Sequence, residues 1–403
     1  MRDKTPNVKA NGYGSFRTDM FGRIKISEGF TIFDSSHRYS QNGDFSDVTE
    51  VGGTVSHATY ESTALLSVTG QSGSYVYRES KKVFPYQPGK ALQVLQTFCF
   101  APSHSNLRQR VGYYGRQNGF YLEQDGTNVY FVRRSYVTGS IVETRVAQAD
   151  WNVDPLNGSG PSDLLLDLSK VQILWSEYEW LGAGSVRLGF VIDGYFIICH
   201  QFNHANVETG VYMTTASLPV SYEIYNKAAT GISSTMKQIC VSITSNGGFL
   251  RHTERWSVKS SANATTTWKP LVSIRLAPGK TDSVILPASV GIMVGTSANT
   301  EWAVYKNATV TNGTWVTHDG TPNVEYDASS TAITGGTIIR QGYFAGSNQG
   351  SGSVDISDGF GTFDMQLGRT NADTPVSDIL TLAIRTVSGS GTVYGSLSFY
   401  DLL

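Results

Sequence analysis

The sequence is short of charge, of cysteine and of helical pattern. Only 16% of its 403 residues are charged, against a usual ~25%, and the net charge is −2. The densest basic spots, Lys81-Lys82 and Arg133-Arg134, are only pairs. A nucleic-acid partner therefore has no electrostatic footprint, because binding phosphates needs several clustered cations. The three cysteines, Cys99, Cys199 and Cys240, are widely spaced among apolar neighbours. They read as buried free thiols of a protein assembled in a reducing cytoplasm rather than as a disulfide frame. No run approaches the ~18 uninterrupted apolar residues of a membrane span. The opening MRDKTPNVKANGYG is polar, so neither a signal peptide nor a membrane anchor is expected there.

Helical periodicity is nearly absent too. No window of a dozen residues keeps apolar positions at i, i+3, i+4 and i+7 without a break from glycine or β-branched runs. What fills the chain is strand and turn: 40% hydrophobic residues, 42 glycines, and many serines and threonines. Phe120-Tyr-Leu-Glu-Gln, Asp125-Gly126 and Thr127-Asn-Val-Tyr-Phe-Val read as a hairpin, since Asp-Gly suits the positive φ angles of a tight turn. Phe120, Leu122, Val129 and Phe131 then share one buried face. Asp193-Gly194 marks a second hairpin. With Ile192 opposite Tyr195, Arg187 is expected to face His200, and both faces are apolar, as in a central strand pair between layers.

This pattern predicts an all-β chain. Residues 1–60 read as an extended N-terminal arm, polar and rich in Gly, Ser and Asn. Residues 61–255 hold most bulky apolar residues and read as a β-sandwich. Residues 256–268, WSVKSSANATTTW, look like an exposed linker. Residues 269–403, with turns at Ala277-Pro278-Gly279, Asn312-Gly313, Asp319-Gly320 and Gly335-Gly336, predict a second, smaller C-terminal β-sandwich. There is no internal repeat.

Candidate chemistry is sparse. His200 and His204 lie four apart, but that spacing converges on a helix and not on a strand. A guanidinium opposite His200 would also oppose a cation, so packed, hydrogen-bonded histidines are expected and no metal. Glu177 and Glu179 alternate as glycosidase carboxylates do. The pattern, however, wants a third acid at position 181, which is leucine. Cys-x-x-Cys, His-Glu-x-x-His, Gly-x-Ser-x-Gly and P-loop signatures are missing, and no cofactor is expected. The aromatics Trp302, Tyr305 and Trp315 lie close in sequence and are candidates for a glycan-facing platform, although aromatics in strands are more often core.

Long phrases of the sequence carry a resemblance. RTDMFGRIKISEGFTIFDS, VFPYQPGKALQVLQTFCF, YVTGSIVETRVAQADWNVDPLNGSGPSDLLLDLSKVQILW, EYEWLGAGSVRLGFVIDG, HQFNHAN and VYMTTASLPVSYEI resemble tailed-bacteriophage virion structural proteins over roughly residues 16–290. The hairpins YLEQDGTNVYFV and RLGFVIDGYFIICH resemble those of concanavalin-like, lectin-type jelly rolls, which makes the first sandwich a jelly roll by analogy.

The resemblance implies a non-enzymatic part of the tail, baseplate or fibre apparatus, or a capsid-surface decoration. Its location would be the virion, after assembly in the host cytoplasm. Its partners would be other virion proteins and copies of itself, with a trimer favoured by analogy with phage fibres. An arm carrying Phe16, Arg17, Asp19, Phe21, Ile24, Ile26, Phe30 and Phe33 is expected to drape over a neighbouring subunit. A carbohydrate-binding module that meets a host surface glycan is the second expectation, and a polysaccharide depolymerase the third.

Overall fold

The computed structural model describes residue 20 and residues 26–250, 253–295, 297–346, 350–355, 363 and 365–402. Among these, the only helical turn is the 3-10 turn Gln148–Asp150; the rest is strand and loop. No helix among the described residues is long and apolar enough to cross a membrane.

Two antiparallel sheets form the first sandwich. An eight-stranded sheet runs from the edge strand Tyr195–Asn203 through Ser185–Ile192, Gln172–Tyr178 and Ala91–Cys99 to the long strand Ser234–Asn246, then Thr63–Val68 and Thr54–Ala58. Gly29–Ser36 and Thr63–Val68 share one side of the long strand, pairing with its residues 240–246 and 234–238 respectively. The facing seven-stranded sheet runs Val142–Ala147, Asn128–Ser135, Gly119–Asp125, Leu107–Tyr114, Val220–Asn226, Tyr75–Ser80 and Phe45–Glu50. Neighbours such as Leu107–Tyr114 and Val220–Asn226 are far apart in sequence, so the chain crosses repeatedly between sheets, as in a jelly roll.

Alternation builds each strand. In Ala91–Cys99, Leu92, Val94, Gln96 and Phe98 are buried while the residues between them are half-exposed, the period-2 pattern of a strand with one face on a core. Phe98, Val111, Phe120, Leu122, Phe131 and Phe190 meet in that core with no exposed surface.

The second sandwich pairs a four-stranded sheet with a six-stranded one. The first has the order Arg255–Ala264, Gly391–Asp401, Ile285–Val294 and Gly350–Asp355. The other is centred on Lys269–Leu276 and Ile379–Thr386. Its core holds Ile274, Trp302, Val304, Leu382, Ile384 and Leu397. The sandwiches also share apolar contacts, because Val284, Leu286, Phe363 and Leu402 pack into the jelly-roll core. Phe249 stacks on Phe30 at 5.7 Å and meets the edge of Phe363 at 4.9 Å.

Three expectations need correction. Within the predicted arm, Gly29–Ser36, Phe45–Glu50 and Thr54–Ala58 are jelly-roll strands. A strand laid against an already formed sheet needs only a few inward apolar groups, here Ile32 and Phe33 beside the long strand and Phe45 beside Tyr75–Ser80. The predicted linker is mostly a strand: Arg255–Ala264 pairs residue for residue with Gly391–Asp401. It is an edge strand, so serine and lysine outward with Val258 and Ala264 inward suffice. The hairpin at Asp193-Gly194 lies at the edge of its sheet, not the centre. Its tip leaves Tyr195 and Phe196 exposed.

Candidate functional site

The second hairpin turns as expected, with Asp193 and Gly194 both at positive φ and Ile192 opposite Tyr195. A bulge between Leu188 and Gly189 then shifts the ladder. His200 faces Leu188, and Arg187 faces Gln201. The extra residue is Cys199, which is turned into the core; of the three cysteines expected to be buried it alone is, for Cys99 is half-buried and Cys240 exposed. His200 lies edge-on to Phe202 at 4.5 Å and accepts from the Asn152 amide at 3.3 Å. His204 stacks flat on Tyr212 at 3.9 Å, and its Nδ1 donates to the Gly184 carbonyl. Burial lowers both imidazoles below their ordinary value, His200 to about 4. Neither belongs to a ligand set: the described residues hold no group of three or more His, Cys, Asp or Glu able to hold a metal.

The two glutamates do not make a pair. Glu177 lies 3.6 Å from Arg187 and accepts from the Asn246 amide at 2.9 Å. Glu179 falls beyond Tyr178, the last residue of the strand, and is exposed.

The expected glycan platform is not assembled either. Trp302 is buried in the second core, and Tyr305, an odd number of positions along the same strand, packs on the opposite face against Trp268. Trp315 is half-buried with the Arg275 guanidinium 4.1 Å over its ring. Of the arm residues, Phe16, Arg17, Asp19, Phe21 and Ile24 lie outside the described residues. Ile26 is exposed, Phe30 is half-buried against Phe249 and Phe363, and Phe33 is buried against Phe45 and Phe84. Phe30 and Phe33 are thus part of this chain's own sandwich.

The densest chemistry lies on the outer face of the seven-stranded sheet. Arg110 sits between Glu123 on one neighbouring strand and Glu223 on the other. Its Nε donates to Glu123 at 2.6 Å, and its Nη1 lies 3.5 Å from Glu223. Arg108 also holds Glu223, at 2.7 Å, and Arg145 binds the far oxygen of Glu123. Arg134 lies opposite Glu143 in the ladder and donates to it at 2.7 Å; Tyr121 donates to the same carboxylate.

The tyrosine rings of this face carry guanidinium groups. Arg116 lies 4.0 Å over Tyr77, Arg145 4.2 Å over Tyr130, and Arg110 and Arg134 about 5 Å over Tyr121, within the range of cation–π attraction. Burial alone would raise both Glu223 and Glu143, but Arg110 and Arg108 hold Glu223, and the Tyr121 hydroxyl followed by Arg134 hold Glu143, below the usual carboxylate range. Glu79 differs: burial raises it despite Arg369 nearby, and Tyr77 donates to it at 3.1 Å. Sequence reading passed over this face. Its signal is Arg-x-Arg at 108–110 set against Glu-x-Asp at 123–125, opposed in the ladder.

A second feature adjoins this face. A polar cleft of about 420 Å³ lies where jelly-roll segments 115–118 and 215–219 meet segments 279–282 and 369–375 of the second sandwich.

No family model matches the sequence, and no curated protein matches it. Solved structures similar to part of the chain include the Emp47p carbohydrate recognition domain, at 10% identity over 52% of this chain and 90% of that one, with a TM-score of 0.34. A Bacillus licheniformis β-glucanase matches at 14% identity over 54% of this chain and 98% of its own, with a TM-score of 0.33. Arcelin-5, a lectin-like defence protein from Phaseolus vulgaris, matches at 9% identity over 54% and 98%, with a TM-score of 0.32. These likenesses bear on fold alone, and at such scores the strand order has to speak for itself. On that order the chain is all-β, a lectin-like jelly-roll sandwich carrying a second β-sandwich.

Proposed function

We propose that this chain is a non-enzymatic structural protein of a tailed-phage virion, a rigid double sandwich that works through its surfaces. The carrying observation is the closed network on the jelly-roll face. Glu123, Glu143 and Glu223 are each held by guanidinium groups, and Tyr77, Tyr121 and Tyr130 have guanidinium groups over their rings. General acid–base chemistry needs a carboxyl free to exchange its proton near the working pH. Glu143 and Glu223, held low by the groups around them, do not supply one, and Glu79, which burial raises, is closed off by Tyr77 and Arg369. A network whose members satisfy each other instead fixes one arrangement of the sheet, which suits a part that carries load. The phage assignment itself rests on the long sequence phrases quoted above.

The test is the mass of the purified protein by light scattering, followed by antibody labelling of whole particles. A trimer that labels the tail end supports a part of the tail, baseplate or fibre. Label spread over the head moves the protein to capsid decoration. Absence from purified particles would overturn the virion reading.

A second reading, a module that binds a host surface glycan, is favoured by one observation: the polar cleft between the sandwiches. Ligand sites are commonly found at domain junctions.

A further inference from the structure

The cleft combines three properties that suit a ligand. The first is size. Its ~420 Å³ falls within the range of small-ligand sites, about 300–1,000 Å³.

The second is fixed walls. The Asn118 side chain accepts from the Tyr136 and Thr214 amides, each at 3.1 Å, and donates to the Thr214 hydroxyl. The opposite wall is tied to the jelly roll by Arg369 N donating to the Lys81 carbonyl at 2.8 Å and Asn371 N donating to the Ser46 hydroxyl at 2.9 Å. A turn closed by Lys280 N on the Ala277 carbonyl, at 2.9 Å, supports the third side. Walls already ordered lose little freedom when a ligand enters.

The third is the lining chemistry. Arg116 is held by Asp373 at 2.7 Å and by the Tyr75 hydroxyl at 2.7 Å. Arg369 lies 3.4 Å from Glu79. With Asp282 also lining the cleft, the cations of its wall are balanced by carboxylates. An anion finds no net attraction there, and an apolar molecule would strand the charges without water. Planar polar groups around Gln117, Arg116 and Asp373, with Leu218, Pro219 and Pro375 beside them, suit a ligand with hydroxyl edges and an apolar ring face.

We propose that this cleft binds one or two units of a neutral saccharide, held between the jelly roll and the second sandwich. The proposal rests on the glycan-binding reading and places the site. The saccharide hydroxyls meet Gln117 and Asp282, and the C–H face of the ring lies on the exposed Pro375.

The test uses the full chain and saturation-transfer NMR, with cellotetraose, maltotetraose and mannotetraose as neutral probes and sialyllactose as the anionic one. The double variant Gln117→Ala/Asp282→Ala tests the place. Both residues are exposed and lie apart from the ion pairs that join the sandwiches, so an unchanged melting curve will show that the variant folds. The expected result is binding of at least one neutral probe, weakened about tenfold in the variant, the equivalent of one or two lost hydrogen bonds. Neutral binding that the variant leaves unchanged overturns the site but spares the glycan reading. Binding of sialyllactose alone overturns the neutral class. Binding of none of the probes overturns both the site and the reading.

Discussion

Arg110 and Glu123 lie directly opposite each other on adjacent strands, with Nε and Oε2 2.6 Å apart and both side chains almost fully buried. Glu223 closes on Arg110 from the other side. Removing the central cation leaves Glu123 to Arg145 and Glu223 to Arg108. Each buried carboxylate keeps one guanidinium and loses the one between them, a change that costs about 3 kcal/mol, the lower end of the range for broken buried pairs. Arg110→Met should therefore destabilise the jelly roll by that amount. Urea unfolding followed by tryptophan fluorescence will read it, since Trp151 stacks on Phe131 in this core. A loss below ~1 kcal/mol would show that water reaches the network and that it is not a rigid element.

Buried neutral histidines set an acid limit. Burial, with Arg78 and His57 adding to it, lowers His37 to about 4, and burial lowers His200 to the same value. Each uses Nδ1 as an acceptor, from the amides of Asn42 and Asn152, and protonation removes that acceptor. In the unfolded chain these rings take up a proton below ~6.5, while in the folded chain they stay neutral down to about 4. The unfolded state thus binds more protons between those values. Stability from these residues is complete above pH ~6.5 and falls as the pH drops toward 4, by roughly 3 kcal/mol per histidine at the most. Melting temperatures measured from pH 7 to pH 4 should fall, and His200→Gln should fall less over that window. A flat profile in the native protein would contradict this.

Local rules carried sequence reading a fair distance. Asp193-Gly194 with Ile192 opposite Tyr195 follows from turn chemistry, and Phe120, Leu122 and Phe131 on one buried face follow from alternation. The bulge after Leu188 does not, because an extra residue leaves no mark in an alternating apolar run. The first turn is also one residue later than its Asp-Gly suggests: Asp125 pairs with Asn128, and Gly126-Thr127 form the loop. The charged face was hidden for another reason. Arg108, Arg110 and Glu123 alternate as solvent-facing residues do, and only the register of neighbouring strands shows that they neutralise one another. The cleft could not be read at all, since its walls come from segments some 250 residues apart, 115–118 and 369–375.

Gly189 accommodates the bulge and the ring across from it. It pairs with Trp175 on one neighbouring strand and Ile198 on the other. A Cβ at this position would stand 1.9 Å from the Ile197 carbonyl oxygen, so backbone must move. Gly189→Ala should cost about 1–3 kcal/mol, as overpacking commonly does, and should loosen the edge hairpin first. Hydrogen exchange at residues 186–203 will show it as faster exchange there, with the second sandwich unchanged. Uniform protection in the variant would show that the edge strand shifts freely.

Trp302 and Trp315 separate a core role from a surface role. Trp302 is buried among Ile274, Val304 and Ile384, while Trp315 is half-buried beneath Arg275, which also donates to Glu325 at 2.7 Å. Trp302→Ala opens a cavity, and such substitutions cost about 3–5 kcal/mol. Trp315→Ala removes a cation–π contact at a partly exposed site, worth roughly 0.5–1 kcal/mol. Thermal unfolding of the two variants should therefore differ by several degrees, with Trp302→Ala the lower. Neither substitution should change binding of the neutral saccharide probes, because neither ring lines the cleft between the sandwiches. Saccharide binding lost in Trp315→Ala, with stability kept, would move the glycan contact away from the cleft and onto the outer surface of the second sandwich.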